Sequence, residues 1–192
     1  MVIVSADDPG PISSQTEQDT RTFAKFSKLP CLDPSSPQEA FEMIQSAFEL
    51  SEKYNTPVLL RPTTRVDHAY ESMEFPVLES ARKKGEFEKD TKRWVIFPRT
   101  SFFNHQRIFE RNEKILPIEF SEPQFKYNYI EETEKKNSKN ISEYAELKTG
   151  RLSFASGGIS YSYLKEALSI LKEENPQNDL IQNAVILKIG TP

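Results

Sequence analysis

Ser36-Pro-Gln-Glu-Ala-Phe-Glu-Met-Ile-Gln-Ser-Ala-Phe48, followed after a short interval by Thr56-Pro-Val-Leu-Leu-Arg61, decides the fold. Ser36 with Glu39 three residues on forms a capping box, and Pro37 occupies the first helical position, where its missing N–H costs nothing. Ala40, Phe41, Ile44, Ala47 and Phe48 recur at three- and four-residue spacing and predict one apolar helix face. Pro57 disfavours helical backbone at Thr56, so the helix should stop near Asn55. Val58-Leu-Leu-Arg61 then reads as a strand buried on both faces. Upstream, Lys28-Leu-Pro-Cys-Leu32 is a short strand closed by the turn signal Asp33-Pro34. Strand, helix, strand in this order is a βαβ unit, which demands a parallel sheet.

Towards the amino end, Val2-Ile-Val-Ser-Ala6 is another strand of buried type. A polar loop, Ala6-Asp-Asp-Pro-Gly-Pro-Ile-Ser-Ser-Gln-Thr-Glu-Gln-Asp-Thr-Arg21, follows it directly. In open α/β sheets ligands bind beyond the carboxyl ends of strands, so this loop is the first place to look for a site. Residues 1–68 thus read strand, loop, strand, helix, strand.

Towards the carboxyl end the rhythm changes. Residues 69–146 contain Glu86-Phe-Glu-Lys-Asp-Thr-Lys-Arg93, then Trp94-Val-Ile-Phe-Pro98, then an expected helix from Ser101 to Lys114. Phe102, His105, Ile108 and Phe109 should share a face of that helix. An irregular aromatic stretch, Phe120 to Ile130, and a polar, solvated run, Glu131 to Asn140, complete an extended connector whose aromatic residues need a surface to bury against. Residues 147–192 restart the α/β pattern. Arg151-Leu-Ser-Phe-Ala155 is expected as a strand, Ser156-Gly157-Gly158 as a tight turn, Ile159–Glu173 as a helix and Asn183–Ile189 as a strand. The predicted class is therefore α/β, with two incomplete parallel βαβ segments joined by an irregular connector. Each segment would leave open sheet edges, so a slice of a larger polypeptide, or a subunit that needs a partner, is expected.

The composition bounds the chemistry. The chain has 192 residues and a net charge of −4, and its mean hydropathy is −0.62. A chain of this size buries about 70% of its unfolded surface, enough for a core, and 11% aromatic content argues against disorder. No apolar run is long enough to span a bilayer, and no signal peptide follows Met1. One cysteine, Cys31, excludes an intrachain disulfide and fits a reducing, cytoplasmic setting. With only His68 and His105 besides, a self-contained zinc or iron–sulfur site is not expected, and both histidines read as packing or surface residues. Mild acidity argues against nucleic acid as the main partner.

Several stretches together carry a family resemblance: Ala6–Arg21, Ala24–Ala40, Thr56–His68, Phe87–Pro98, Phe154–Leu168 and the terminal Ile186-Leu-Lys-Ile-Gly-Thr-Pro192. In this order and over nearly the whole length, the chain resembles the alpha subunits of indolepyruvate ferredoxin oxidoreductases, within the thiamine-diphosphate-dependent 2-oxoacid:ferredoxin oxidoreductase family. It departs at Ile12, where the family usually has histidine, and at Thr16, where it usually has asparagine. The resemblance implies that residues 1–68 are the carboxyl half of a domain that binds the aminopyrimidine ring, that 69–146 are the connector, and that 147–192 begin a transketolase-C-like domain. It implies oxidative decarboxylation of a 2-oxoacid, most like indolepyruvate or another arylpyruvate, to an acyl-CoA, with electrons passed to ferredoxin. It also implies thiamine diphosphate, Mg²⁺ and iron–sulfur clusters in the complete enzyme, with none held by this chain alone. The remaining segments, a beta subunit and ferredoxin are the implied partners.

No residue here takes a catalytic role, because the glutamate of the family's pyrimidine domain would lie ahead of Met1, and the isolated chain is expected to be inactive. No metal ligand is expected either. Within the loop, Ser13, Ser14, Gln15 and Glu17 are expected near cofactor or substrate. Asp8, Gly10, Gln18, Asp19 and Arg21 are expected to bind the substrate, with Asp19 and Glu17 orienting Arg21 or Arg65 rather than meeting a carboxylate, since like charges repel. Backbone N–H groups around Gly10 can form an anion-binding nest. On residue chemistry alone the same loop is equally a strand-end turn, with Ser14 and Glu17 as a helix capping box. Thr63-Thr64-Arg65 sits at a strand end and reads first as surface hydrogen bonding. Ser156-Gly157-Gly158 lacks a phosphate-loop pattern and reads as a plain turn. Cys31 reads as a small buried residue and Trp94 with Phe97 as a packing anchor. The alternatives are a non-catalytic assembly module with the fold of such enzymes, and a free-standing α/β ligand-binding protein.

Overall fold

Three parallel strands form the first sheet: β1 (Val2–Val4), β2 (Cys31–Leu32) and β3 (Val58–Leu60), in the order β1-β3-β2. The structure, a computed structural model, describes residues 1–73, Phe75, 85–86, 89–132, 137–140 and 151–192. Val2 faces Val58, and Leu32 faces Leu60, across the ladders. Alternation splits the sheet's residues between two cores. Leu32, Val58 and Leu60 pack on helix α2 (Pro37–Tyr54), while Cys31, Leu59 and Ile3 pack with Ala24 of α1 (Thr20–Ser27).

Helix α2 starts as the sequence predicts. Ser36 accepts the Glu39 N–H, Pro37 leads the first turn, and Asn55 closes the helix in the left-handed region at φ 49°. Glu39 reaches back one residue further than in a simple capping box and accepts both the backbone N–H and the hydroxyl of Ser35 at 2.7 Å. The buried face is rotated from the expected one. Met43, Ala47 and Leu50 are buried, whereas Phe48 is 53% exposed. The reason lies in the connector, which lays Phe125 and Tyr127 against the Met43–Leu50 side. Phe120, Phe125 and Tyr127 stack in sequence, with ring centroids 4.6 and 5.2 Å apart. The expected surface for the connector's aromatic residues is thus α2 itself.

Helix α1 is absent from the predicted order. Asp19 caps it through the Arg21 N–H, and Lys28 ends it in the left-handed region at φ 60°. Its apolar signal is confined to Phe23, Ala24 and Phe26, of which only Ala24 is buried. A short helix, α3 (Thr64–Asp67), follows β3.

The connector is more ordered than expected. After α4 (Thr91–Trp94), α5 spans Pro98–Glu110 and continues through a wider π-type turn, Arg111–Ile115, into α6 (Leu116–Glu119). Its end and part of the polar run form strands β4 (Tyr129–Glu132) and β5 (Asn137–Asn140), while 133–136 lie outside the described residues. These join β6 (Ser153–Gly157) and β7 (Val185–Ile189) in a second sheet ordered β5-β4-β7-β6. β6 and β7 are parallel, as expected, and β4 adds an antiparallel strand on the far side of β7. The expected Ser156-Gly157-Gly158 turn is shorter than predicted. Ser156 and Gly157 belong to β6, and α7 (Gly158–Glu174) begins at once, because Gly158 takes φ +52° and turns the chain in one step.

The two sheets dock through named contacts. The Asp33 N–H donates to the Gly190 carbonyl at 2.9 Å, and the Ser162 hydroxyl donates to the Ser35 carbonyl at 2.8 Å. Lys188, fully buried on β7, pairs with Glu39 on α2 and lies 5.9 and 5.7 Å from the ring centres of Tyr129 and Tyr161. Gly190 meets Tyr127 and Met43 so closely that a side chain there would strike the Tyr127 carbonyl.

Candidate functional site at the carboxyl ends of the first sheet

The three parallel strands of the first sheet all deliver polar residues to the same end. Asp7 and Asp8 follow β1, Asp33 follows β2, and Arg61, Thr63 and Thr64 follow β3. Arg61 is the hub. It is 3% exposed, its Nε donates to Asp7, and its Nη1 lies 3.2 Å from Asp33 Oδ2. Asp19 approaches the same guanidinium at 3.7 Å. Three carboxylates thus surround one buried cation, with Arg21 held against Asp19 at 2.8 Å. Arg21 is the main reason the Asp19 carboxyl is held down to about 2. Arginine suits this place because it stays charged and donates in several directions at once.

Asp7 also holds the loop's exit. It accepts the Thr20 N–H at 2.7 Å and the Thr20 hydroxyl at 2.9 Å, which pins the start of α1. Asp8 shapes the loop itself. Its Oδ2 accepts the backbone N–H groups of Ile12, Ser13 and Ser14 at 2.7–2.9 Å, and its Oδ1 accepts the Thr64 hydroxyl at 3.0 Å. These donors hold the Asp8 carboxyl far below the usual aspartate range, the Ser14 N–H contributing most. The nest of N–H groups expected near Gly10 therefore exists, and the anion inside it is the chain's own Asp8. Both Asp8 oxygens accept hydrogen bonds from the chain itself.

The remaining loop residues face outward. Ser13, Gln15, Glu17 and Gln18 are exposed, Ser14 is half-buried, and Gly10 turns the chain at φ +70°. Among the described residues, no hydrogen bond engages the hydroxyls of Ser13 and Ser14 or the side-chain amides of Gln15 and Gln18, while the Gln18 backbone N–H donates to the Asp8 carbonyl at 3.3 Å. Asp19 pairs with Arg21, one of the expected partners, and also approaches Arg61, while Glu17 and Arg65 make no ion pair among the described residues. Ser14 and Glu17 do not cap a helix, since α1 starts at Thr20 under Asp19.

Two buried side-chain oxygens lack a partner among the described residues, Asp33 Oδ1 and Thr63 Oγ1, and both belong to this strand-end cluster. Unsatisfied buried polar groups are costly and concentrate at functional sites. Thr63 and Thr64 were read at a strand end as surface hydrogen bonding, whereas Arg61, Asp7 and Asp33 were not read as site residues; their one signal was position, each falling within three residues of a strand end. Cys31 is buried in β2, and burial pushes its thiol up to about 12, so it stays protonated and inert. His68 and His105 are exposed. Trp94 and Phe97, expected to anchor packing, are 55% and 65% exposed.

The donor set fits a polar organic ligand. Neutral hydroxyls and amides on an outward loop, backed by a rigid charge cluster, can orient a cofactor ring or a 2-oxoacid. The described residues contain no group of three His, Cys, Asp or Glu able to hold a metal ion, so nothing here is assigned to Mg²⁺ or an iron–sulfur cluster. No helix among the described residues is long and apolar enough to cross a membrane.

A parallel α/β sheet with a polar loop over its carboxyl edge defines a class of ligand-binding domain. Residues 2–141 match the family described as pyruvate flavodoxin/ferredoxin oxidoreductase, thiamine diphosphate-binding, and the chain belongs to that family. Among curated proteins it is similar to the indolepyruvate oxidoreductase subunit IorA of Pyrococcus abyssi, 39% identical over 197 residues, which cover 100% of this chain and 26% of that protein. The IorA of Thermococcus kodakarensis is 40% identical over 196 residues, with 100% of this chain and 26% of that protein covered. The IorA of Methanothermobacter thermautotrophicus is 44% identical over 115 residues, covering 60% of this chain and 19% of its own length. The chain spans about a quarter of the length of the first two relatives.

Proposed function

We propose that the chain contributes the cofactor- and substrate-facing loop of a thiamine-diphosphate-dependent 2-oxoacid:ferredoxin oxidoreductase that acts on indolepyruvate or another arylpyruvate. The outward loop at Ser13–Gln18, braced from beneath by Asp8, is the observation that carries this reading. Family membership and the names of the relatives support it.

Bound thiamine diphosphate would supply the carbanion that adds to the keto carbon and the electron sink for loss of CO₂. The chain's own residues orient and exclude. Ser13, Ser14 and Gln15 offer neutral hydrogen bonds towards cofactor or substrate. Glu17 borders the same loop face. Gly10 turns the loop, and Gln18, Asp19 and Arg21 bound its far side, Asp19 being neutralised by Arg21 and Arg61 so that it does not repel a substrate carboxylate. Asp8 acts by fixing the loop's shape.

In the same reading residues 1–68 are the carboxyl half of a pyrimidine-binding-type domain, and 69–146 are a connector that lends β4 to the next unit. Residues 147–192 open a transketolase-C-like domain. Diphosphate, Mg²⁺ and iron–sulfur clusters belong to other parts of the assembly, with a beta subunit and ferredoxin as partners in the cytoplasm. The test is an assay of viologen reduction with arylpyruvate, thiamine diphosphate, Mg²⁺ and CoA. It is run on the chain alone and on the chain purified from its own cells with its accompanying polypeptides. Turnover in the second preparation only, reduced by Gln15→Ala and Ser14→Ala, is expected. Absence of arylpyruvate-dependent reduction in both would overturn the reading.

A further inference from the structure

The turn that follows β2 is gripped by the second sheet. The Asp33 N–H donates to the Gly190 carbonyl just past β7, and the Ser35 carbonyl accepts the Ser162 hydroxyl of α7. The Asp33 carboxylate rests on Gly158, where any side chain would strike it. That carboxylate makes one hydrogen bond, from Arg61 Nη1 to Oδ2, and Oδ1 has no partner among the described residues. A buried carboxylate left undersatisfied in this way is not placed by its own hydrogen bonds. The grip on the turn places it.

Arg61 passes the position on. Its Nη2 stops 3.7 Å from Asp19 Oδ1, beyond hydrogen-bond reach. Asp19 is left to Arg21. Its Oδ1 accepts the Arg21 N–H at 3.1 Å and Nε at 2.8 Å, and its Oδ2 accepts Nη2 at 2.8 Å. The bond from the Arg21 N–H is also the cap of α1. Arg61 stays back because its other two nitrogens are held, Nε by Asp7 and Nη1 by Asp33. Asp7 follows a strand of the first sheet, whereas Asp33 is the one seated against the second.

We propose that Asp33 is a positioning residue for the loop: seated by Gly158, Gly190 and the Ser162–Ser35 bond, it holds Arg61 away from Asp19, so that Asp19 keeps Arg21 and the cap of α1. Docking of the second sheet is thereby felt at the loop, through Asp33, Arg61 and Asp19 in turn. Without Asp33, the freed Nη1 side of Arg61 swings to Asp19 and competes with Arg21 for it. The consequence for catalysis rests on the functional reading above; the consequence for the loop does not.

The test uses the preparation that carries the accompanying polypeptides, and reads hydrogen exchange at Gln18–Arg21 together with KM and kcat for arylpyruvate. Asp33→Ala should speed exchange of the Arg21 amide at least about tenfold while β3 stays protected. It should raise KM about tenfold and change kcat by less than about twofold, because Asp33 touches no reacting atom. Ser162→Ala, a half-buried change on α7 that leaves the strand-end cluster intact, should speed the same amide at least about twofold, and it decides the matter if Asp33→Ala does not fold. Asp33→Asn keeps an acceptor in the same place. Burial pushes the Asp33 carboxyl up, so an uncharged acceptor suffices, and both readouts should stay within about twofold of wild type. Exchange at Arg21 untouched by Asp33→Ala and Ser162→Ala, or Asp33→Asn as damaging as Asp33→Ala, would overturn the proposal. Wild-type protein without arylpyruvate turnover would overturn the functional reading instead, and exchange alone would then decide this one.

Discussion

The carboxylate of Asp33 lies directly over the backbone of Gly158, so that a Cβ added to Gly158 would stand 2.6 Å from Asp33 Oδ1 and 2.8 Å from Cγ. This contact joins the end of β2 to the start of α7, and so joins the two sheets at the edge of the candidate site. Gly158 also holds φ +52°. Gly10 shares the positive φ, at +70°, but has open space where its side chain would be.

That pair of glycines separates backbone strain from collision. Gly10→Ala should cost about 1–2 kcal/mol for the left-handed backbone alone. Gly158→Ala should cost about 1–3 kcal/mol more, because Asp33 is buried and hemmed in by Arg61. Urea unfolding of both variants measures the difference, and equal losses would show that the docking is looser than described.

Asp33 also predicts a pH dependence. Burial pushes its carboxyl above the ordinary value of 3.8, against the pull of Arg61, Arg21 and Lys188. The folded chain then holds this proton more tightly than the unfolded chain. The group's contribution to stability is full below 3.8 and falls as pH rises through the raised value. Asp8 and Asp19 run the other way, since their depressed carboxyls stabilise above the ordinary range and lose that effect in acid. Comparing wild type with Asp33→Asn isolates the first effect. The difference in stability should move in favour of the variant as pH increases from 3.8. A flat difference would mean that Asp33 titrates normally.

Asp8→Ala should release the loop without unfolding the sheet. The amides of Ile12, Ser13 and Ser14 would lose their common acceptor. Their hydrogen exchange should rise sharply while the amides of β3 stay protected. Unchanged exchange at these three amides would contradict the shaping role.

Lys188 and Glu39 form the second link between sheets. Lys188→Ala leaves the Glu39 carboxylate without its cation and should cost about 3–5 kcal/mol. Replacing both, Lys188→Met with Glu39→Gln, should recover most of that loss, because the cost of an uncompensated buried charge vanishes. Thermal unfolding of the two variants decides the point.

Much of this architecture is legible from local chemistry. Pro37, Ser36 and Pro57 bracket α2 because caps and proline act within a few residues, and Val58–Leu60 reads as a central strand because both its faces are apolar. What was not legible depends on distance. Helix α1 carries one buried residue, Ala24, so its periodicity is too weak to register. The rotated face of α2 is set by Phe125 and Tyr127, more than seventy positions away. Strand β4 reads as part of a polar tail because Glu131 and Glu132 alternate with few apolar partners, and its pairing with Ile186 and Val185 is a long-range matter. In the site, the loop stands out through composition, whereas Arg61 is one arginine at a strand end until folding surrounds it with three carboxylates.

The most direct test of the account is hydrogen exchange across Pro9–Arg21 in the preparation that carries the accompanying polypeptides, with and without thiamine diphosphate, Mg²⁺ and arylpyruvate. Protection gained at Ser13–Gln18, with β1 and β3 unchanged, is the predicted result. Exchange at Ser13–Gln18 that ignores both cofactor and substrate, in a preparation that turns over, would contradict it.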